Sequence, residues 1–329
     1  VKIVIYSSTF SPNIGGVETI MQGLAEAWSS MGHNVIVFTS TPQLGHIKDC
    51  RYKVVKKKSI WQLNSEINKA DIYLEANISF KNCISGLIHK KKWFIVHHTH
   101  YDHQNRIIGF FKSQLTKLSK NICVSRFIAD KIPAPAVVIH NFYLPIFSKH
   151  NGYERKIDFA YLGRLVSDKG VDKLCEALTN DEWQGNCLII GDGPDRALLE
   201  KLVNQKNRYH QFRFTGTKKG VELVDLLNQV KVLVIPSLWE EPFGVIALEG
   251  MACGCIIACS NKLGLKEATG DLAFFFDPNN ERSILETLKK ALAFIPTSEY
   301  AISVKNHLQK HEQKYIAQQY LDFFENSSI

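Results

Sequence analysis

Residues 231–260 read KVLVIPSLWEEPFGVIALEGMACGCIIACS, and the fold class follows from the way this stretch changes period. Val232, Leu233, Val234 and Ile235 form an unbroken apolar run stopped by Pro236, the pattern of a parallel strand covered on both faces. Ser237 to Phe243 is a turn at the carboxyl end of that strand. A helix then starts near Gly244, carries Val245, Ile246, Leu248, Met251 and Ala252, and stops at Gly254 before a second strand. Strand, helix and strand in close succession predict an α/β architecture. In such sheets ligands bind beyond the carboxyl ends of strands, and free N–H groups at a helix start favour an anion. Two acids stand at this place: Glu241 precedes Pro242 in the turn, and Glu249 lies inside the helix among Val245, Leu248 and Ala252. Glu240 and Glu241 can each serve simply as partners of the helix dipole. Glu249, with apolar neighbours at helical spacing, either faces a cleft or pairs with a cation.

The sequence Ser237-x-x-x-Glu241-Pro242-Phe243-Gly244, with Glu249 completing a Glu-x7-Glu spacing and Met251-Ala252-Cys253-Gly254 following, resembles the signature of retaining GT-B glycosyltransferases of family four. The resemblance implies an α/β chain of two Rossmann-like domains facing across a cleft. It implies a nucleoside diphosphate sugar as donor substrate, with no metal and no other cofactor. In this reading Glu241 meets hydroxyls of the transferred sugar, Glu249 holds the nucleotide ribose, and N–H groups of Phe243, Gly244, Val245 and Ile246 meet the sugar or phosphates.

The rest of the second half extends the pattern. Ile157 to Leu162 is a strand, followed by Gly163-Arg164-x4-Lys169-Gly170 and a helix from Val171 to Leu178. An Arg and a Lys so placed at a strand end either converge on a diphosphate and neutralise it, or form a solvated basic loop. The resemblance favours the diphosphate, because Gly-Arg-x4-Lys-Gly is the family's pyrophosphate clamp. Cys187 to Ile190 is the next strand, and Gly191-Asp192-Gly193-Pro194 matches the family loop that follows it, with Gly191 at the donor. Gln211 to Phe214, Val221 to Asn228, Phe274 to Phe276 and Ser283 to Ala293 read as strand, helix, strand and helix; Ser298 to Phe324 reads as helical. The family carries two adjacent glycines before an acid beyond Ser260, whereas this chain has Leu263-Gly264-Leu265-Lys266-Glu267, which leaves the identity of the donor open.

In the first half, Lys2 to Tyr6 is a buried strand, and SSTFSPNIGG is a loop feeding a helix from Val17 to Met31. Glycines before a helix let backbone N–H groups approach a phosphate, although the dinucleotide motif G-x-G-x-x-G is missing. Pro12-x-x-Gly15-Gly16-Val17-Glu18 and Gly32-His33-x-Val35 resemble the first unit of the same glycosyltransferases, which implies that Gly15 and Gly16 contribute to the donor site and that Gly16 contacts the diphosphate. Asn34 to Thr39, Asp71 to Leu74, Trp93 to Val96, Asn121 to Val124 and Ala136 to Ile139 read as strands. Phe80 to His89 is a helix, Leu115 to Lys120 closes another, and Ser125 caps one that runs through Lys131. After the strand at Val96 come His97, His98, Thr99, His100, Tyr101, Asp102 and His103. Four histidines suggest a metal, but the run lacks the helical spacing and carboxylates of a zinc hydrolase. The family places a histidine here, near the reacting sugar; His98 matches best and His97 is its rival.

The chain has 329 residues, of which 45% are hydrophobic, enough for two domains with real cores. The expected division is an acceptor-binding domain at 1–147 and a donor domain at 148–329, joined by a linker within Asn141 to Tyr153. The resemblance brings the last helix, about 311–329, back to the first domain. No apolar stretch approaches the ~18 residues of a membrane helix, and the amino terminus lacks a signal-peptide cleavage site, so a cytoplasmic protein is expected. Eight cysteines are scattered, several in apolar runs, as buried thiols are; Cys253-x-Cys255-x3-Cys259 has no recognised metal spacing.

Charge is divided unevenly. Residues 1–150 carry 19 Lys and Arg against 8 Asp and Glu, a balance of +11, which leaves −3 for the remainder of a chain whose total is +8. Such a half suits an anionic membrane surface, an anionic acceptor or nucleic acid, or it is simply a solvated surface. Arg51, Lys53, Lys56, Lys57 and Lys58 beside Ile60 and Trp61 fit a membrane interface or an exposed loop. No nucleic-acid module is recognisable, so the expected partners are the donor, a saccharide or lipid-linked acceptor, and an anionic membrane surface. The function expected is retaining sugar transfer to an acceptor hydroxyl, in polysaccharide or glycolipid assembly, with His98, Arg164, Lys169 and Glu241 at the reacting centre. A nucleotide-sugar epimerase of similar fold and a non-catalytic basic binding protein are the rivals.

Overall fold

The computed structural model describes residues 1–11, 15–41, 51–57, 59–80, 82–99, 101, 106–180 and 183–327. Pro12, Cys50, Lys58, His100, Asp102 and His103, all invoked above, lie outside the described residues. The chain forms two compact units, Val1–Phe142 with Glu312–Ile329, and Tyr143–His311.

In the first unit the elements are β1 (Lys2–Ser7), α1 (Gly16–Ser30), β2 (Asn34–Thr39), β3 (Lys53–Lys56), α2 (Ile60–Asn68), β4 (Ile72–Ala76), α3 (Cys83–Ile88), β5 (Trp93–His97), α4 (Arg106–Thr116), β6 (Lys120–Cys123), α5 (Arg126–Ala129) and β7 (Ala136–Val138). The strands make one parallel sheet in the order β3-β2-β1-β4-β5-β6-β7. Ile3, Val4 and Ile5 are wholly buried, as a central strand covered by helices on both faces requires. The order reverses between β1 and β4, a topological switch point.

The second unit repeats the plan with β8 (Ile157–Leu162), α6 (Val171–Asn180), β9 (Cys187–Ile190), α7 (Arg196–Gln205), β10 (Phe212–Gly216), α8 (Gly220–Asn228), β11 (Val230–Ile235), α9 (Val245–Ala252), β12 (Ile256–Ser260), α10 (Leu263–Thr269), β13 (Ala273–Phe276), α11 (Glu281–Ala293) and α12 (Ser298–Gln309). Its parallel sheet runs β10-β9-β8-β11-β12-β13, with the switch between β8 and β11. The run that identifies β11 in the sequence divides between two cores. Val232 and Val234 pack with Leu174, Leu178 and Leu288 on one face, while Leu233 and Ile235 pack with Leu227, Ala247 and Met251 on the other.

A final helix, α13 (Gln313–Asn326), returns to the first unit. Trp28 of α1 donates its indole N–H to the Ala317 carbonyl at 2.9 Å and meets Tyr320 and Phe324 edge-on. Phe324 also lies 4.6 Å from the ring of Phe94. Each fully buried aromatic of this kind is worth about 1.5–3 kcal/mol, enough to hold a helix that follows another unit in sequence.

Four sequence expectations need correction. The units part between Phe142 and Tyr143 instead of after residue 147, because Tyr143, Leu144 and Phe147 pack into the core of the second unit. The helix expected over Ser298 to Phe324 is two helices, broken where the chain passes between units at His311 and Glu312. The helix thought to end at Lys120 ends at Thr116, and Lys120 opens β6. The basic segment before Trp61 is not a uniform surface: Lys53 to Lys56 pair with β2 as an edge strand, and Lys57 is half-buried. The Lys57 ammonium donates to Asn82 Oδ1 and lies 5.3 Å from the centre of the Tyr6 ring. Trp61 is 80% exposed on α2.

The seven described cysteines are free, and six of them are buried. Among the described residues no helix is long and apolar enough to cross a membrane.

Candidate active site

The carboxyl ends of β8 and β11 lie side by side at the switch point of the second unit, and the loops that leave them are stitched together. From β8 the chain passes through Gly163 and Arg164 to a single 3-10 turn at Ser167–Lys169; from β11 it passes through Pro236 and Ser237 to Glu241. The Asp168 carbonyl accepts the N–H groups of Leu238 and Trp239 at 2.9 and 3.2 Å. Gly170 makes this approach feasible: its φ is 64°, and a Cβ there would collide with the Pro236 carbonyl oxygen.

This stitching brings Lys169 and Glu241 together. The Lys169 ammonium is 2.5 Å from Glu241 Oε1, which also accepts the Ser237 hydroxyl at 2.6 Å. Both charged side chains are largely buried, with 19% and 14% of their surface exposed, so the pair is only weakly screened. The ammonium also lies 5.7 Å from the centre of the Trp239 ring. Beneath the loops, Tyr161 donates its hydroxyl to the Arg164 carbonyl at 2.7 Å. Burial raises the Tyr161 pKa, the charges of Glu241 and Asp168 raise it further, and Arg164 opposes them. Groups from both loops therefore act on one buried hydroxyl. The Arg164 side chain is exposed and makes no ion pair among the described residues. Gly191 follows β9 and donates its N–H to the Gly216 carbonyl at 2.9 Å, while the Asp192 carbonyl accepts the Leu165 N–H, which fixes this loop beside that of Arg164.

Helix α9 begins at Val245, shortly after Glu241. Gly244 caps it at φ 101°, in the left-handed region, with no side chain satisfying the helix start. The first N–H groups of a helix have no partner within it, so those of Gly244, Val245 and Ile246 are available to an anion. Phe243 is buried, its ring 5.6 Å from that of His311, so its side chain is committed to packing. Glu249 lies one turn further on and is half-buried. Its carboxylate has no cation or hydrogen-bond partner among the described residues, and burial pushes its pKa up to about 8.

Glu240 is different. Instead of facing the start of α9 it accepts the Leu263 N–H at 3.3 Å, at the start of α10, and pairs with Lys262 at 3.4 Å. Glu240 is 39% exposed, so water screens this longer contact, and it contributes about 0–1 kcal/mol. Glu240→Gln is therefore expected to change stability by less than about 1 kcal/mol and to leave ligand binding within about twofold; a large loss in a calorimetric titration would contradict this placement.

Three of the residues expected at the site belong to the first unit. Gly15 and Gly16 form the start of α1, as expected, but a Cβ on Gly15 would collide with the Glu18 carboxylate, which folds back over the helix start. His97 and His98, undecided in the sequence, are separated by their surroundings. His97 is wholly buried and saturated: its Nδ1 lies 2.6 Å from the Tyr101 hydroxyl and its Nε2 3.0 Å from Asn121 Oδ1. Burial lowers its pKa to about 4, so it is a neutral packing residue. In His98, Nε2 is buried without a partner among the described residues, and burial lowers its pKa to about 3.

Sequence reasoning missed what orients His98. Asn77, immediately after β4, adopts φ 57° and accepts the His98 N–H at 2.8 Å. Asn is among the few residues that tolerate this conformation, and its place after a strand was the available signal. Asn77→Ala is expected to cost about 1–2 kcal/mol, since it strands a buried N–H in addition to straining the backbone; unchanged thermal unfolding would contradict this role. Trp239, likewise unassigned, carried the signal of a large aromatic placed in a strand-end loop.

Known proteins resemble this chain in sequence and in fold. Residues 145–302 match the family model of glycosyl transferases group 1. An uncharacterized glycosyltransferase of Methanocaldococcus jannaschii is 24% identical over 87% of this chain and 87% of its own length. The glycosyltransferase from Rickettsia africae superposes with a TM-score of 0.84, 17% identity and coverage of 99% of this chain and 98% of its own. Anabaena HepE, solved in complex with UDP and glucose, superposes with a TM-score of 0.80, 16% identity and 99% coverage of both chains. These structural likenesses show the GT-B type of fold, two Rossmann-like α/β domains. The match of residues 145–302 falls on the unit that holds the stitched loops, and it is this half of the chain that carries the sequence of the glycosyl transferases group 1.

Proposed function

We propose that this glycosyltransferase is a retaining hexosyltransferase that takes its sugar from a nucleoside diphosphate and delivers it to an acceptor hydroxyl in polysaccharide or glycolipid assembly. The observation that carries the reading is the grouping of Lys169, Glu241, Arg164 and the open start of α9 at one switch point, with Glu249 unpartnered one turn away. Two cationic side chains and unpaired N–H groups suit a diphosphate. A carboxylate suits the vicinal hydroxyls of a ribose, and a second carboxylate held by Lys169 and Ser237 suits a sugar. The UDP and glucose in the HepE structure support a nucleotide-linked donor.

In the proposed reaction the bond from the anomeric carbon to the diphosphate breaks and a bond to the acceptor oxygen forms. Arg164, Lys169 and the N–H groups of α9 stabilise the charge that develops on the departing diphosphate, which takes up the acceptor's proton. The roles that the resemblance implies for Gly15, Gly16, Gly191 and His98 are part of this proposal, and no metal enters it.

Nuclear magnetic resonance of reaction mixtures tests the reading. Nucleoside diphosphate sugars are supplied with and without saccharide and glycolipid acceptors. The expected product is a glycosylated acceptor with the anomeric configuration of the donor. An epimerised donor formed without acceptor would show an epimerase, and inversion would overturn the retaining assignment.

A further inference from the structure

Helices α3 and α4 of the first unit are amphipathic in the wrong sense for a soluble surface. The residues they bury most deeply are small or polar, Ser85 and Gly86 in α3 and Gly109 and Thr116 in α4, and each helix adds one large side chain, Leu87 or Leu115, that packs partly against the core. The packing leaves no room for more, since a Cβ on Gly86 would collide with the Trp93 ring and one on Gly109 would lie 2.8 Å from the Tyr101 carbonyl oxygen. Their outward faces carry most of the large apolar residues. Ile84 and Ile88 are 55% and 61% exposed, and Phe110 and Phe111 are 59% and 56% exposed. The strands β4, β5 and β6 are consecutive neighbours in the sheet, so right-handed crossovers put α3 and α4 on the same side of it. Lys112 links the two, its ammonium lying 5.9 Å from the centre of the Phe80 ring just before α3.

Charge identifies the occupant. Between Ala76, where β4 ends, and Ala129, where α5 ends, the sequence holds nine Lys and Arg and one acid, Asp102, a balance of +8 that equals the net charge of the whole chain. Lys90 and Lys117 are exposed beside the two apolar faces. A second copy of the chain would bring the same positive surface and repel it. An anionic bilayer satisfies both features at once, since apolar side chains enter the boundary of the acyl chains while lysines meet the headgroups.

We propose that the outward faces of α3 and α4 are a docking surface for anionic lipid membranes, with Phe110 and Phe111 as the inserted side chains. The proposal extends beyond the transfer reaction and locates attachment here instead of at Lys56 to Lys58. Lys57 cannot take part, because it is committed to Asn82 and Tyr6.

Co-sedimentation of the full chain with vesicles tests it, comparing phosphatidylglycerol mixed equally with phosphatidylcholine against phosphatidylcholine alone. The native chain should partition at least about tenfold more strongly onto the anionic vesicles, and added salt should weaken the binding. The double variant Phe110→Ser with Phe111→Ser should lose at least about tenfold in partitioning, whereas Phe110→Leu with Phe111→Leu should stay within about threefold of native. Matching circular dichroism and melting temperatures establish that the variants are folded. Failure of the native chain to bind either vesicle, or a serine variant that binds like the native chain, would overturn the proposal. So would native dimers that the serine variant dissociates, which would make a second copy the occupant. Sedimentation needs no donor, so its result is independent of the proposed reaction.

Discussion

Lys169→Ala is expected to lower turnover by about a hundredfold or more, the scale for deleting one preorganised group that stabilises charge in a transition state. Two causes could produce a loss, and they separate experimentally. The first is the missing cation at the departing diphosphate. The second is the carboxylate left behind, because Glu241 is largely buried and would keep only the Ser237 hydroxyl. Breaking a fully buried pair costs roughly 3–5 kcal/mol of stability; with 19% and 14% exposure, about 1–3 kcal/mol is expected here. The double variant Lys169→Ala with Glu241→Gln removes the orphaned charge and should recover most of that stability without recovering turnover. Near-native kinetics in a folded Lys169→Ala variant would remove Lys169 from the chemistry.

Glu249→Gln should weaken binding of the cognate nucleoside diphosphate by about 1–3 kcal/mol, the range for hydrogen bonds to a charged group, while stabilising the free protein at alkaline pH. Burial raises the folded-state pKa of Glu249 from 4.5 to about 8. A raised acid favours its neutral form in the folded state, so its burial costs nothing below about pH 4.5. The cost grows as pH rises through the interval and is constant above about pH 8. The full shift corresponds to about 5 kcal/mol, and about 1–3 kcal/mol is expected because water partly reaches the group. The variant should therefore melt higher than the native chain at pH 9 and alike at pH 4. Glu75, wholly buried between the Ser79 N–H and the Trp93 indole, has its pKa raised by burial to about 7 and shares the sign. Some loss of stability with rising pH should thus persist in the Glu249 variant. Equal melting temperatures at pH 9 would show that Glu249 does not bear the cost of burial.

Much of the second unit was legible because its signals are local. The run Val232 to Ile235, the stop at Pro236 and the glycine at 244 each act through the backbone at their own position, and β11 and α9 follow from them. Gly163-Arg164-x4-Lys169-Gly170 was legible for the same reason. What the sequence hid was the direction in which side chains point once distant segments meet. Lys57 read as a surface lysine and is held over Tyr6, because β3 pairs with β2 and carries it inward. His97 and His98 are adjacent and alike in sequence; Asn121, which helps to tell them apart, arrives from β6, and Tyr101 turns back from the same run onto His97 alone. Glu240 and Glu241 are equally adjacent, yet one caps α10 and the other meets Lys169. Helix α10 was itself unforeseen, and its single Gly264 lies where a Cβ would collide with the Glu241 carbonyl oxygen. The break before α13 carries neither Gly nor Pro, and reflects the passage of the chain from one packed unit to the other.

The central claim is that the loops after β8 and β11 hold a nucleoside diphosphate, and calorimetric titration of the native chain and two variants tests it most directly. UDP, GDP, ADP, CDP and TDP are each titrated into native protein, Arg164→Ala and Glu249→Gln. One nucleotide should bind the native chain selectively and lose at least about fivefold in affinity in each variant, as for loss of a charged hydrogen bond. Binding of none of the five, or equal affinity in all three proteins, would contradict the claim.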